Sequence, residues 1–168
     1  MYLIYYRGIV VREEFNRRYI LNMMSEGYSL YFAYGEEISI EKMTSICPKA
    51  VAVGHYVLKN YRFSLDENGF PNALKSKVAS IEGILWLVTK ESLKELKSYK
   101  EGFKEEYVDV YLGEKPYRTM IYTSLKPGKF KIKRVEMIKQ MIASAKFWKF
   151  SPLYVSLLDS FVSRLENL

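Results

Sequence analysis

The sequence predicts an α+β fold, in which a small mixed β-barrel is flanked by helices. Three observations predict it: runs of β-forming residues dominate the first 123 positions, helical patterns interrupt them, and two helical patterns close the chain. The 168 residues are 49% apolar and 27% charged, which is typical of a globular protein able to bury one core. We therefore expect one domain over 1–168, with an extra N-terminal strand and helix over 1–29, the barrel core over 30–123 and C-terminal helices over 124–168.

Strands are predicted where β-branched and aromatic residues cluster between turn signals. These runs are Met1–Tyr6, Leu30–Tyr34, Val51–Leu58, Tyr61–Leu65, Ser80–Val88, Tyr107–Leu112 and Tyr117–Thr123. Helices are predicted where apolar residues recur at intervals of three and four. These segments are Arg12–Met24, a single turn over Glu41–Ser45, a helix from the cap Thr89 to Tyr99, one containing Val135 to Ala145, and one beginning at Ser151-Pro152.

The chain has one cysteine, Cys47, and one histidine, His55. A disulfide framework, a cysteine-based zinc site and a multi-histidine metal site are therefore excluded. Both residues are predicted to be structural, Cys47 as a small apolar filler and His55 as a half-buried strand residue. We expect neither a metal nor an organic cofactor.

No stretch approaches the roughly 18 apolar residues of a membrane span. The apolar run Met1–Tyr6 stops at Arg7 and has no basic segment before it, so it does not resemble a signal peptide. With a single cysteine, these features lead us to expect a cytoplasmic protein without a membrane partner.

Positive charge is concentrated near the C-terminus. The segment Lys126–Lys149 holds eight basic residues and one acid, Glu136, and so carries the whole net charge of +7. A solvated helix face is the favoured interpretation, and a site for nucleic acid or another polyanion is the alternative. No recognition motif accompanies the segment, so nucleic acid is not expected as a partner.

Short motifs follow one another in a fixed order through the middle of the chain. Tyr34-Gly35 ends one strand, Gly83–Trp86 lies in another, and Glu101-Gly102 follows a helix before Tyr107 opens a further strand. In order and spacing they resemble the gamma-glutamylcyclotransferase-like family, whose members carry a Tyr-Gly-Ser-Asn loop, a Gly-x-x-Trp strand and a helix leading to Glu-Gly. The resemblance covers roughly Leu30–Thr123.

The resemblance implies an acyl transferase that acts on a small gamma-glutamyl amine or peptide. The substrate's own α-amino group attacks the gamma-carbonyl, 5-oxoproline forms and the amine leaves. Ring closure is intramolecular, so holding the substrate folded supplies much of the rate. One carboxylate can move the proton from the attacking nitrogen to the leaving nitrogen. A homodimer is left open.

Site residues follow from the same resemblance. Glu101 matches the catalytic glutamate of the Glu-Gly pair, and we expect it to be a general acid/base buried in an apolar cavity. The interpretation without function is a surface glutamate in a turn. The predicted substrate-binding residues are Tyr34, Gly35, Glu36, Glu37, Tyr107 and Tyr122.

The sequence departs from the family at one place. Glu36-Glu37 stands where the family has Ser-Asn, and two carboxylates would repel the substrate's own carboxylate. Three outcomes are open: the carboxylates point to solvent, the pocket favours a cationic substrate such as a gamma-glutamyl polyamine, or catalysis is lost. The alternative to an enzyme is thus a non-catalytic binding or interaction module on the same fold.

Overall fold

The computed structural model describes the backbone of residues 3–6 and 9–12 and the whole of residues 17–168. Within this part, seven strands form one sheet in the order β1-β2-β4-β5-β3-β7-β6. The strands are β1 Leu3–Tyr6, β2 Ile9–Arg12, β3 Ser29–Ala33, β4 Val51–Leu65, β5 Pro71–Val88, β6 Phe103–Leu112 and β7 Lys115–Ser124.

Five α-helices accompany the sheet in the described residues: α1 Arg17–Ser25, α2 Ile40–Ile46, α3 Lys90–Tyr99, α4 Val135–Phe147 and α5 Pro152–Glu166. The predicted caps are confirmed, because the side chains of Thr89 and Ser151 accept the N–H groups of Ser92 and Tyr154 at the starts of α3 and α5. The predicted helix Arg12–Met24 begins too early, since Arg12 belongs to β2. Met1, the first residue of the predicted strand Met1–Tyr6, and Arg7, which follows that strand, lie outside the described residues.

The longest element is the β4–β5 hairpin, whose pairing runs from Val51 opposite Leu87 to Leu65 opposite Pro71. The sequence predicted two strands divided near Lys59 and Asn60, but the structure has one continuous strand. Asn60 adopts φ 65° where the register shifts, and asparagine tolerates this left-handed conformation at small cost. The division in the sequence is therefore a bulge within β4.

The sheet is mixed, as predicted, but it is open. β3 pairs antiparallel with β5 and parallel with β7, and β2 pairs parallel with β4. Among the described strands β1 and β6 are the two edges and do not pair with each other. The α+β class is confirmed, whereas "barrel" is only a loose description, because the described strands do not close the sheet.

The centre of the core lies where β3 pairs with β5. Trp86, Tyr31 and Phe32 are almost completely buried there. Gly83 lets the two strands approach, because a Cβ at this position would lie 2.3 Å from the carbonyl oxygen of Ala33. This packing fixes the end of β3, from which the predicted substrate loop departs.

Candidate functional site

The predicted loop begins at the buried end of β3. The hydroxyl of Tyr34 donates to the carbonyl oxygen of Tyr122 on the neighbouring strand β7. Gly35 then leads into a single 3₁₀ turn, Glu36–Ile38. Tyr34 is 6% exposed, so its phenol anchors the loop from within the core. The turn places two successive carboxylates on different sides of the loop.

Glu37 points inward and forms an ion pair with Lys100. Lys100 Nζ lies 2.6 Å from Glu37 Oε1, and the two side chains are 13% and 2% exposed. The hydroxyl of Tyr31 lies 3.3 Å from Glu37 Oε2 and donates to it. Burial and then the charge of Glu37 raise the pKa of Tyr31, so this phenol stays protonated and remains a donor. Glu37 is therefore a neutralised internal carboxylate.

A small cavity lies against this ion pair, and we call it the loop cavity. Its volume is about 120 Å³. It is bounded by the loop after β3, the loop before β5 and the turn between α3 and β6. The lining residues are Glu36, Glu37, Phe70, Pro71, Tyr99, Lys100, Glu101 and Phe103. The structure thus brings together three of the predicted site residues, Glu36, Glu37 and Glu101.

Glu101 lies at the mouth of the loop cavity and is exposed. The expectation that it is buried is not met, because α3 ends at Tyr99 and the next two residues point in different directions. Lys100 turns inward to Glu37, and Glu101 turns toward solvent. Lys100 takes the internal position that the sequence argument gave to the glutamate.

Sequence reasoning missed Lys100, although a signal was present. Leu93 and Leu96 form the inward face of α3, and Lys100 follows Leu96 by four residues, which is the spacing of one helical face. A lysine on an apolar face requires a buried partner. Glu37 supplies that partner from a loop 63 residues away, which the helix sequence alone does not reveal.

Glu36 turns to the other side of the loop. The hydroxyl of Tyr99 donates to Glu36 Oε2, and Lys42 Nζ lies 4.0 Å from the same oxygen. Burial and then the hydrogen bond to Glu36 raise the pKa of Tyr99, which keeps this phenol protonated. Lys42 Nζ also lies 5.1 Å from the centre of the Tyr99 ring. Glu36 is therefore held at the junction of α2, α3 and the loop.

A larger cavity of about 610 Å³ lies between α2 and α4, and we call it the helix groove. Glu36 lines both cavities and forms the wall that they share. The groove has an apolar floor and a rim of serine, glutamine and charged side chains. Its lining residues are Glu36, Ser39, Ile40, Glu41, Lys42, Ser45, Met137, Gln140, Met141, Ala143, Ser144, Phe147 and Trp148.

The other four predicted site residues, Tyr34, Gly35, Tyr107 and Tyr122, line neither of these cavities. Tyr107 is 56% exposed on β6, where the guanidinium of Arg118 lies 4.2 Å from its ring centre. Tyr122 is buried, and its hydroxyl lies 3.4 Å from Glu105 Oε1. Tyr122 instead supports the loop from below, through the carbonyl oxygen that accepts from Tyr34.

Cys47 and His55 occupy structural positions. Cys47 is completely buried, and its thiol contacts the carbonyl oxygen of Ser92 at 3.4 Å. His55 stacks on Phe150 with ring centres 4.5 Å apart, and its Nε2 lies 2.8 Å from Glu82 Oε1. Within the described residues, no group of three or more His, Cys, Asp and Glu side chains is placed to hold a metal ion.

Several cations of the basic segment 126–149 have partners on the protein. Lys131 pairs with Glu67 at 3.2 Å, and Lys139 pairs with Glu166 at 2.9 Å. The segment precedes and forms α4, whose inner face lines the helix groove. No helix in the described part of the chain is both long and apolar enough to cross a membrane.

Comparison with known proteins gives one family and one fold. Residues 31–145 match the model of the family described as gamma-glutamyl cyclotransferase, AIG2-like. A solved structure named gamma-glutamyl cyclotransferase is similar with a TM-score of 0.68 and 20% identity, over 79% of this chain and 86% of that one. An uncharacterized human protein is similar with a TM-score of 0.67, 20% identity and the same two coverages.

YkqA from Bacillus subtilis is also similar, with a TM-score of 0.68 and 19% identity over 87% of this chain and 58% of that protein. The search of curated proteins finds no match. At these identities the solved structures establish the fold, and the family model establishes the family.

Proposed function

This chain belongs to the gamma-glutamyl cyclotransferase, AIG2-like family, and we propose that it converts a gamma-glutamyl amide into 5-oxoproline and a free amine. The observation that carries the proposal is the shared location of three predicted residues. Glu101, Glu36 and Glu37 line one cavity beside the loop that follows β3. The cavity therefore offers a free carboxylate next to a preformed ion pair.

The reaction needs two proton transfers, one from the attacking nitrogen and one to the leaving nitrogen. The α-amino nitrogen attacks the gamma-carbonyl carbon, a new carbon–nitrogen bond closes the ring, and the original amide bond breaks. The proton lost by the attacking nitrogen reaches the leaving nitrogen through one carboxylate. We assign this role to Glu101, which takes no ion pair from residues 17–168.

Lys100 supports the proposal by reducing the repulsion expected from Glu36-Glu37. It neutralises Glu37 at 2.6 Å, and its ammonium is the one positive group among the lining residues of the loop cavity. Within this lining, Lys100 is the group that could donate to a substrate α-carboxylate, and Glu37 is a group that could accept from an α-ammonium. Of the three outcomes left open by the sequence, solvent exposure of both carboxylates does not apply, since the Glu37 side chain is 2% exposed.

The test is incubation with neutral and cationic gamma-glutamyl amides, with 5-oxoproline as the measured product. Glu101→Gln is expected to abolish release, whereas Glu95→Gln, an exposed control on α3, should keep it. Undiminished release by Glu101→Gln would refute the assignment of Glu101. If Glu101→Gln kept activity and Glu37→Gln, although folded, lost it, the proton transfer would be reassigned to Glu37. Absence of 5-oxoproline with every amide would refute the enzyme.

A non-catalytic binding module is the second candidate, and the Glu37–Lys100 pair favours it. The two charged groups neutralise each other in a cavity of only about 120 Å³, and Glu101, the carboxylate of its lining without an ion pair from residues 17–168, is exposed. This function predicts that gamma-glutamyl amides bind, as measured by calorimetry, and are recovered intact. Binding without turnover would establish it, and measurable turnover would exclude it.

A further inference from the structure

The helix groove has the dimensions and surface of a ligand site. Its volume of about 610 Å³ lies within the range of roughly 300–1,000 Å³ seen for small-molecule pockets. Met137 and Met141 of α4 form its floor, and Phe147 and Trp148 close one end. Phe147 is 61% exposed and packs edge to face against Trp148, with ring centres 5.4 Å apart, so the two rings present a continuous aromatic surface to the groove. An apolar ligand portion would bury this surface.

The groove meets the loop cavity at Glu36. Both contacts of this carboxylate, from Tyr99 and Lys42, are made to Oε2. Within residues 17–168, Oε1 takes no hydrogen bond or ion pair. Glu36, which lines both cavities, therefore keeps one acceptor oxygen free.

The loop cavity is too small to hold a whole substrate. Its volume of about 120 Å³ is well below the roughly 300–1,000 Å³ seen for small-molecule pockets. The remainder of a gamma-glutamyl amide must lie outside it, and the groove begins on the other side of Glu36. The amine part of the substrate has room in the helix groove, and the acyl part does not need the groove.

We propose that the helix groove is the amine subsite, and that it takes primary amines with an extended apolar tail. The ammonium of the released amine lies at Glu36 Oε1, and the tail lies on Met137, Met141 and Phe147. As a subsite the groove rests on the proposed function, but its affinity for the free amine does not require turnover.

Charge at Glu36 favours a cation over an anion. Lys42 is the one ammonium in the lining of the groove, and it is already engaged by Glu36 at 4.0 Å and by the Tyr99 ring at 5.1 Å. An incoming carboxylate would be repelled by Glu36, whereas an incoming ammonium would bind its free oxygen Oε1.

The chain contains its own reporter for binding. Trp148 lines the groove and donates its indole N–H to the carbonyl oxygen of Ile38 at 2.7 Å, whereas Trp86, the other tryptophan, is completely buried in the core. Titration with butylamine, hexylamine and octylamine should change the fluorescence of Trp148. Affinity should rise about fourfold for each added methylene, as expected for transfer of a tail onto an apolar surface. Hexanoate should produce no change.

Two variants test the two halves of the site. Ala143→Phe fills the groove and should weaken octylamine binding at least tenfold, while Ser156→Phe, an exposed neutral control on α5, should leave it unchanged. Glu36→Gln should remove the preference for hexylamine over hexanoate. Equal binding of hexylamine and hexanoate by the parent protein would overturn the proposal. So would an affinity of Ala143→Phe for octylamine equal to that of the parent.

The two proposals fail separately. If alkylamines bind as described but no amide releases 5-oxoproline, the groove is an amine site and the enzyme is refuted. If 5-oxoproline is released but alkylamines do not bind, the enzyme stands and the amine subsite is refuted.

Discussion

Lys100 and Glu37, 63 residues apart, form a buried ion pair with 2.6 Å between Nζ and Oε1. The pair joins the end of α3 to the turn after β3 and sets the base of the loop cavity. Lys100 Nζ also lies 5.1 Å from the centre of the Phe103 ring, so the ammonium is enclosed by both charge and aromatic surface.

Removal of one partner should cost more than removal of both. Lys100→Met leaves Glu37 buried without its counter-charge, and we expect the free energy of unfolding to fall by roughly 3 kcal/mol. Lys100→Met combined with Glu37→Gln should recover most of that loss, because no uncompensated charge remains. Urea unfolding of the two single variants and the double variant measures the coupling. Additive losses in the double variant would show that the pair is not coupled.

The contrast between Lys100 and Thr89 shows what the sequence could predict. Thr89 caps α3 through Ser92, three residues away, and a local pattern is enough to identify such a contact. The partner of Lys100 depends on how α3 docks against the loop after β3, which no local pattern contains. For the same reason Glu101 was assigned an internal position from its motif, while its actual direction follows from the end of the helix at Tyr99.

The same distinction between local and distant contacts applies to the sheet. Dense apolar runs predicted β3 and the part of β5 that pairs with it. The continuation of β4 through Asn60 was missed, because an asparagine between two strand segments is read as a turn unless the partner strand is known. The open edges of the sheet likewise depend on which strands pair, and apolar runs do not specify pairing.

Asp66 should stabilise the wall of the loop cavity that contains Phe70. Its Oδ1 accepts the backbone N–H groups of Asn68 and Phe70 at 2.9 Å each, and its Oδ2 accepts the hydroxyl of Ser124 at 2.7 Å. Asp66 is 1% exposed, so Asp66→Ala leaves these donors without partners, and a loss of about 3 kcal/mol is expected. Thermal unfolding against the exposed control Asp159→Ala measures it, and equal stability of the two variants would contradict this role.

Gly83 should not tolerate a side chain. Its Cβ would lie 2.3 Å from the carbonyl oxygen of Ala33 and 2.6 Å from Cζ of Phe32, and backbone cannot yield as a flexible side chain can. Gly83→Ala is therefore expected to lower the free energy of unfolding by about 3 kcal/mol or more, as overpacking of a closed core does. Ser80→Ala, on the same strand and exposed, is the control. A variant as stable as the parent would show that β3 and β5 can separate at this point.

Cys47 should make stability depend on alkaline pH. Burial raises the pKa of its thiol from 9.0 to about 11, although a hydrogen bond with the side chain of Ser92 acts in the opposite direction. Between these two values the unfolded chain loses the thiol proton and the folded chain keeps it, so the free energy of unfolding falls as pH rises. Below pH 9 the thiol is protonated in both states and contributes no pH dependence.

Buried Tyr31 and Tyr34 also lower stability as pH rises, so the measurement is the difference in the free energy of unfolding between the parent and Cys47→Ala, obtained by urea unfolding from about pH 8 to 11. As pH rises, the parent should lose stability relative to Cys47→Ala. A stability difference that does not depend on pH would indicate that the thiol is in contact with solvent.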